Sequence, residues 1–232
     1  MQKIGFIGGY DKIDLILYIA KIITLAGKKV LLVDATQKQK SRYIVPTITP
    51  SQAYITEFES IDVAVGFRSI PQLQEYLQST TMPKEYDMIF IDVDHPKMFE
   101  NFGLKNANIN YFVTSFDVYD LKRGLEAVSY IQEPIKMTKV LFSIDMLKEE
   151  EDYLNFLAKD LNVNWNTEFK IYFPITIGDM AAISENQRVE KIKFKKLSVA
   201  YKENLLFMVE DICKDIKSFE LRKIMKNIEK GA

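Results

Sequence analysis

The chain has 232 residues, 47% of them hydrophobic and 27% charged, the balance of one folded domain and too short for two comfortable ones. Lys and Arg total 31 against 32 Asp and Glu, a net charge of −1 that argues against a general polyanion coat. A single Cys and a single His exclude an intramolecular disulfide, Cys-rich zinc sites and paired-His metal sites, and leave any His-based triad dependent on His95.

In chain order, the pattern predicts a strand at 3–7, a helix at 13–26 and a strand at 29–33. Residues 37–60, rich in Thr, Ser and Pro, show no periodicity and read as an irregular surface excursion. Beyond them come a strand at 61–65, a helix at 72–79 and strands at 87–92 and 110–114. A helix at 118–132, a strand at 138–143, a helix at 148–161, a strand at 169–173 and helices at 177–186 and 197–216 complete the core. Runs such as VLLV and MIFI are apolar without alternation, as in parallel strands covered on both faces. The expected class is therefore α/β: a doubly wound, mostly parallel sheet of about seven strands with helices on both faces. No composition break divides the chain, so one domain is expected over 1–232, with 216–232 as a C-terminal helical tail. No stretch resembles a membrane span, and MQKIGFIGG lacks the features of a signal peptide, which predicts a cytoplasmic protein.

The first strand runs into Gly8-Gly9-Tyr10-Asp11-Lys12 and then a helix, where adjacent glycines permit a tight turn and a helix N-terminus offers free amides. By spacing alone this is a weak phosphate-loop pattern. Further on, GKKVLLVDAT (27–36) and YDMIFIDVDHP (86–96) each place an aspartate, Asp34 or Asp92, at the end of an apolar strand. Taken with FPIT (173–176) and 181–187, these segments resemble, in order, the ParA/MinD-like branch of the P-loop ATPases, also called SIMIBI or deviant Walker proteins. The resemblance spans about residues 3 to 213 and implies a P-loop NTPase-like fold.

The departures from the family pattern fall where phosphate chemistry would sit. Against KGG-x-GK-T-T the chain reads Ile7, Gly8, Gly9, Tyr10, Asp11, Lys12, Ile13, Asp14. Ile7 replaces the lysine that in the family reaches a partner's phosphates, and Ile13 replaces the hydroxyl that ligates magnesium. Asp11 replaces the last glycine, and Asp14 adds a second carboxylate. One unit charge about 4 Å from a phosphate charge costs roughly 4 kcal/mol at an effective dielectric near 20, on the order of a thousandfold in affinity. Lys12, Asp34 and Asp92 keep the positions that the family uses for phosphate, for water or magnesium, and for magnesium. They imply a residual nucleotide site with Asp34 catalytic and Asp34 and Asp92 on the metal, or plain strand ends, or an internally filled site in which Lys12 pairs with Asp11, Asp34 or Asp92.

Residues 188–202 hold a basic patch, Arg188, Lys191, Lys193, Lys195, Lys196 and Lys202, readable as a DNA or anionic-lipid surface or as a solvated strand edge. The tail carries Ile216, Phe219, Ile224 and Ile228 near helical spacing among lysines, which suits a helix packed on the domain or, less well, on a membrane surface. The resulting expectation is a ParA/MinD-like pseudo-ATPase, without ATP, ADP or magnesium as working cofactor. It would act as a scaffold or positioning protein of a bacterial assembly through protein partners, as a homodimer or beside an active homologue. The alternatives are a weak ATPase switching between monomer and dimer, and a DNA- or membrane-surface adaptor at the inner face of the membrane.

Overall fold

A computed structural model describes residues 1–47, 51–79, 85–145 and 148–230. Strands β1 (Gln2–Ile7), β2 (Val30–Asp34) and β5 (Met88–Val93) are the apolar runs of the sequence, and β2 and β5 are buried at every residue. Around them stand β3 (Tyr54–Phe58), β4 (Ile61–Val65), β6 (Ile109–Ser115), β7 (Ile135–Ser143), β8 (Val163–Trp165) and β9 (Ile171–Pro174). The order is β3-β4-β2-β5-β1-β6-β7, with β8 pairing the first part of β7 and β9 its last part. Every pairing is parallel except β3–β4. The end of β1 thus lies between β5 and β6, where the chain has crossed from one side of the sheet to the other. Open α/β sheets place ligands at such a point.

Alternate residues of the strands feed two cores. On one face Phe6, Leu32, Phe90 and Tyr111 pack with α1 (Ile13–Leu25), α8 (Val199–Ile212) and α9 (Ser218–Glu229). On the other, Val33, Ile91 and Phe112 pack with α3 (Ile70–Tyr76), α4 (Pro96–Asn101), α5 (Val118–Val128) and α6 (Lys148–Ala158). Two short elements, α2 (Ser41–Ile44) and a 3-10 turn (Leu104–Asn106), and the helix α7 (Ile177–Arg188) complete the description.

Among the described residues, nine strands stand where about seven were expected. The added β3 lies in the stretch read as irregular; 48–50 within that stretch lie outside the described residues. Its hairpin to β4 turns through Glu59 and Ser60, both at positive φ (53° and 68°), a primed turn made without the usual Gly or Asn. The helix expected over 197–216 stops at Ile212, and the chain folds back so that Leu221 and Met225 of α9 bury against the same core.

A buried charge cluster ties α6 to the sheet. Lys139 of β7 donates to Glu151 Oε1 at 2.8 Å and to Asn155 at 2.6 Å, while Tyr172 (2.8 Å) and Lys170 serve Glu151 Oε2. Burial alone would raise the Glu151 carboxyl, but the hydrogen bonds from Lys139, Lys170 and Tyr172 win and bring it down to about 2. A depressed carboxyl stabilises the fold above its unfolded pKa and loses that contribution as pH falls toward the folded value. Glu151→Gln should therefore lower stability at neutral pH by about 3 kcal/mol, or about 6–12 °C in Tm, and flatten the acid limb of a denaturation series between about pH 4.5 and 2.

Candidate functional site

The loop after β1 is held by close backbone approaches. Gly8 (φ 154°) lies so near β6 that a Cβ would stand 1.9 Å from the Val113 carbonyl oxygen. At Gly9 a Cβ would stand 2.8 Å from the Asp120 carbonyl oxygen and from Arg123 Cβ on α5. Both glycines serve contacts within the chain. Tyr10 stacks on Phe142 with ring centroids 4.5 Å apart, continuing a row through Phe173 to Tyr201. Burial, then Asp11, Asp120 and Asp14, push its hydroxyl up to about 12. Ile7 and Ile13 are core residues, and neither offers a charge or a hydroxyl to the cleft.

The charged groups around the loop find their partners within the chain. Lys12 is 2% exposed; its Nζ lies 2.7 Å from Asp92 Oδ1 and donates to the Gly8 carbonyl at 2.9 Å. Asp92 Oδ1 receives no well-aligned hydrogen bond, so charge attraction carries this contact. Burial pushes the Asp92 carboxyl up to about 7 against the pull of Lys12. Asp34, facing Asp92 in the β2–β5 register, is filled by four donors. Thr36 N–H (3.1 Å) and Oγ1 (2.6 Å) serve one oxygen, and Ser41 N–H (3.0 Å) and Oγ (2.7 Å) the other.

Lys40, in the stretch that showed no pattern, spans the two added carboxylates. Its Nζ lies 2.7 Å from Asp11 Oδ2 and 3.0 Å from Asp14 Oδ2. Gln187 of α7 donates to both oxygens of Asp14 at 2.9 and 2.8 Å. Burial raises the Asp14 carboxyl, with Lys40 and Gln187 opposing. On the far wall Arg123 reaches Gln37 at 2.6 Å, and Gln37 N–H reaches Asp94 at 3.0 Å. What remains is a cavity of about 80 Å³, against the several hundred Å³ that hold a small-molecule ligand. Magnesium does not fit this arrangement, because both Asp34 oxygens are taken and the Lys12 ammonium stands where Asp92 would meet a cation. No group of three His, Cys, Asp or Glu suited to a metal occurs among the described residues.

The other sequence candidates are dispersed. Residues 191–197 form an irregular link from α7 to α8, not a strand edge, because Ile192, Phe194 and Leu197 plug into the core. Lys191 pairs with Glu59 (3.3 Å), Lys196 with Glu185 (2.5 Å) and Lys202 with Glu229, while Arg188, Lys193 and Lys195 are exposed. In the tail, α9 turns Leu221 and Met225 inward, and Arg222 forks onto Glu203 at 3.0 Å. His95 caps α4, its Nδ1 accepting from Lys97 N–H at 3.2 Å. The Cys213 thiol is buried, which pushes it up to about 12.

No protein-family model matches this sequence, and no curated protein does. Solved structures do match its fold over nearly their whole length. The MinD cell division protein of Aquifex aeolicus superposes with a TM-score of 0.59 at 12% identity, over 94% of this chain and 98% of that one. A ParA family ATPase from Chlorobium tepidum gives 0.54 at 15% identity, over 88% and 96%. A putative plasmid partition protein of Borrelia burgdorferi, bound to AMPPNP, gives 0.53 at 12% identity, over 93% and 99%. The chain has the ParA/MinD-like P-loop fold.

Removing Lys12 would leave the buried Asp92 carboxylate unpaired, which typically costs about 3–5 kcal/mol. Lys12→Ala should lower Tm by about 10 °C. Because Asp92 is raised in the fold from 3.8 to about 7, its contribution is fully present below the lower value and is lost as pH rises through the upper one. Asp92→Asn should make the decline of stability between about pH 4 and 7 shallower in denaturant melts. An unchanged slope would place that titration elsewhere.

Proposed function

We propose that this chain is a ParA/MinD-like pseudo-ATPase that works by binding proteins, as a scaffold or positioning component of a bacterial assembly. The observation that carries this reading is the internal filling of the phosphate loop: Lys12 on Asp92, and Lys40 on Asp11 and Asp14. A phosphate drawing on Lys12 and Lys40 would have to break three buried or half-buried ion pairs, to Asp92, Asp11 and Asp14. It would gain no hydroxyl ligand for magnesium, since Ile13 is in the core.

An exposed apolar surface supports the protein-binding part. Val118 and Tyr119, Ile144, and Ile177 with Met180 follow the ends of β6, β7 and β9, which are neighbours in the sheet. Ile144 is 79% and Ile177 89% exposed, unusual for isoleucines unless a partner covers them. No helix among the described residues is long and apolar enough to cross a membrane. With α9 turned onto the core, the reading places the protein in the cytoplasm, at the membrane only through a partner.

Calorimetry with ATP and ADP, with and without magnesium, tests the reading. No saturable binding at micromolar nucleotide and no hydrolysis above background are expected. Micromolar binding of Mg-ATP that Lys12→Ala abolishes would overturn it in favour of a slow ATPase.

A further inference from the structure

Beside the filled loop lies a second groove, at the ends of β4, β2 and β5, bounded by the loops that follow those strands. Its volume is about 550 Å³, within the range of small-molecule sites. No Asp or Glu lines it. Arg68 and Lys97 reach its rim, both exposed, and neither side chain has an ion-pair partner among the described residues. Asp34 and Asp94 line the neighbouring phosphate-loop cavity instead, where they accept hydrogen bonds from Thr36, Ser41 and Gln37 N–H.

The cationic rim is built rather than incidental. Arg68 is clamped through its main chain: its N–H donates to Gln72 Oε1 at 2.8 Å, and its carbonyl accepts from Asn101 at 2.9 Å. That fixes where the guanidinium starts and reduces what binding must order. His95 accepts from Lys97 N–H through Nδ1, so the neutral ring carries its proton on Nε2 and keeps a donor for the groove it lines. Phe67, Met98 and Ala35 give the same groove apolar wall.

We infer that this groove binds a small organic phosphate, its dianion held by Arg68 and Lys97 with a hydrogen bond from His95, and its carbon part against Phe67 and Met98. Two uncompensated positive charges match a dianion; a monocarboxylate would leave one unpaired. Guanidinium and ammonium groups differ in geometry but both suit phosphate oxygens. The site is displaced sideways from the phosphate loop by the width of one or two strands, and it needs no magnesium.

The test is magnesium-free calorimetry with phenyl phosphate and inorganic phosphate on the full chain. Phenyl phosphate should bind saturably at one site and more tightly than inorganic phosphate. Arg68→Gln with Lys97→Gln should weaken it by about tenfold or more, since charge-assisted hydrogen bonds are lost. Lys38→Gln, a surface change on the phosphate-loop cavity, should alter affinity by less than about twofold, because Lys38 lies outside this groove. Absence of saturable binding at millimolar ligand would overturn the inference, as would equal weakening in both variants or weakening by Lys38→Gln alone. Since both substituted groove residues are exposed, loss of binding with an unchanged Tm is a readout of the site and not of folding. The pseudo-ATPase reading stands or falls separately, on Mg-ATP and Lys12.

Discussion

The ammonium of Lys12 is buried at the point where β1, β5 and β6 meet, and the surrounding geometry follows from how that charge is met. A lone ammonium in such a place carries a desolvation penalty of several kcal/mol, so it must find a carboxylate or lose its proton. Asp92, at the end of β5, is that carboxylate, and the Gly8 carbonyl takes a second donor position of the same ammonium. The glycines matter here because they bring Gly8 against β6 and Gly9 against α5, which sets the height of the loop over Lys12. A bound phosphate and its cation would normally compete for these two partners. With both engaged on each other, that pair is neutral without a ligand.

The internal pairing leaves the carboxyl end of the sheet in three zones. The middle is closed by ion pairs and by Tyr10 stacked on Phe142. On the β6–β7–β9 side stand exposed apolar side chains, and on the β4–β2–β5 side stands a groove lined by no Asp or Glu, with Arg68 and Lys97 unpaired among the described residues. Strand order alone produces this division, since each loop inherits its place from its strand.

Much of the fold was legible because buried parallel strands are continuous apolar runs, and VLLV and MIFI have few other readings. β3 escaped because its turn is Glu59-Ser60, which gives no turn signal, and because Tyr54–Phe58 sits in a stretch rich in Thr, Ser and Pro. At the site, the sequence offered Asp11, Asp34 or Asp92 as partners for Lys12, and the fold brings Asp92 to it. It did not point to Lys40 or Gln187. Lys40 lies on a segment without periodicity, and Gln187 is 173 residues from the Asp14 it meets. Contacts of that kind depend on packing, not on local pattern.

The same network explains why the loop cannot be described one residue at a time. Asp11 viewed alone is a charge that repels phosphate, yet in the fold it is half of what holds Lys40, with Asp14 as the other half. Replacing Asp11 by glycine would remove one carboxylate and leave Lys40 on Asp14, Lys12 on Asp92 and Ile13 in the core. The cleft would gain little room, because its walls are set by Arg123, Gln37 and the Thr36 turn around Asp34. Residues that share partners in one hydrogen-bond and charge network do not contribute additively. The electrostatics of the loop are therefore a property of the set, in which Lys12 meets Asp92 and Lys40 meets both Asp11 and Asp14.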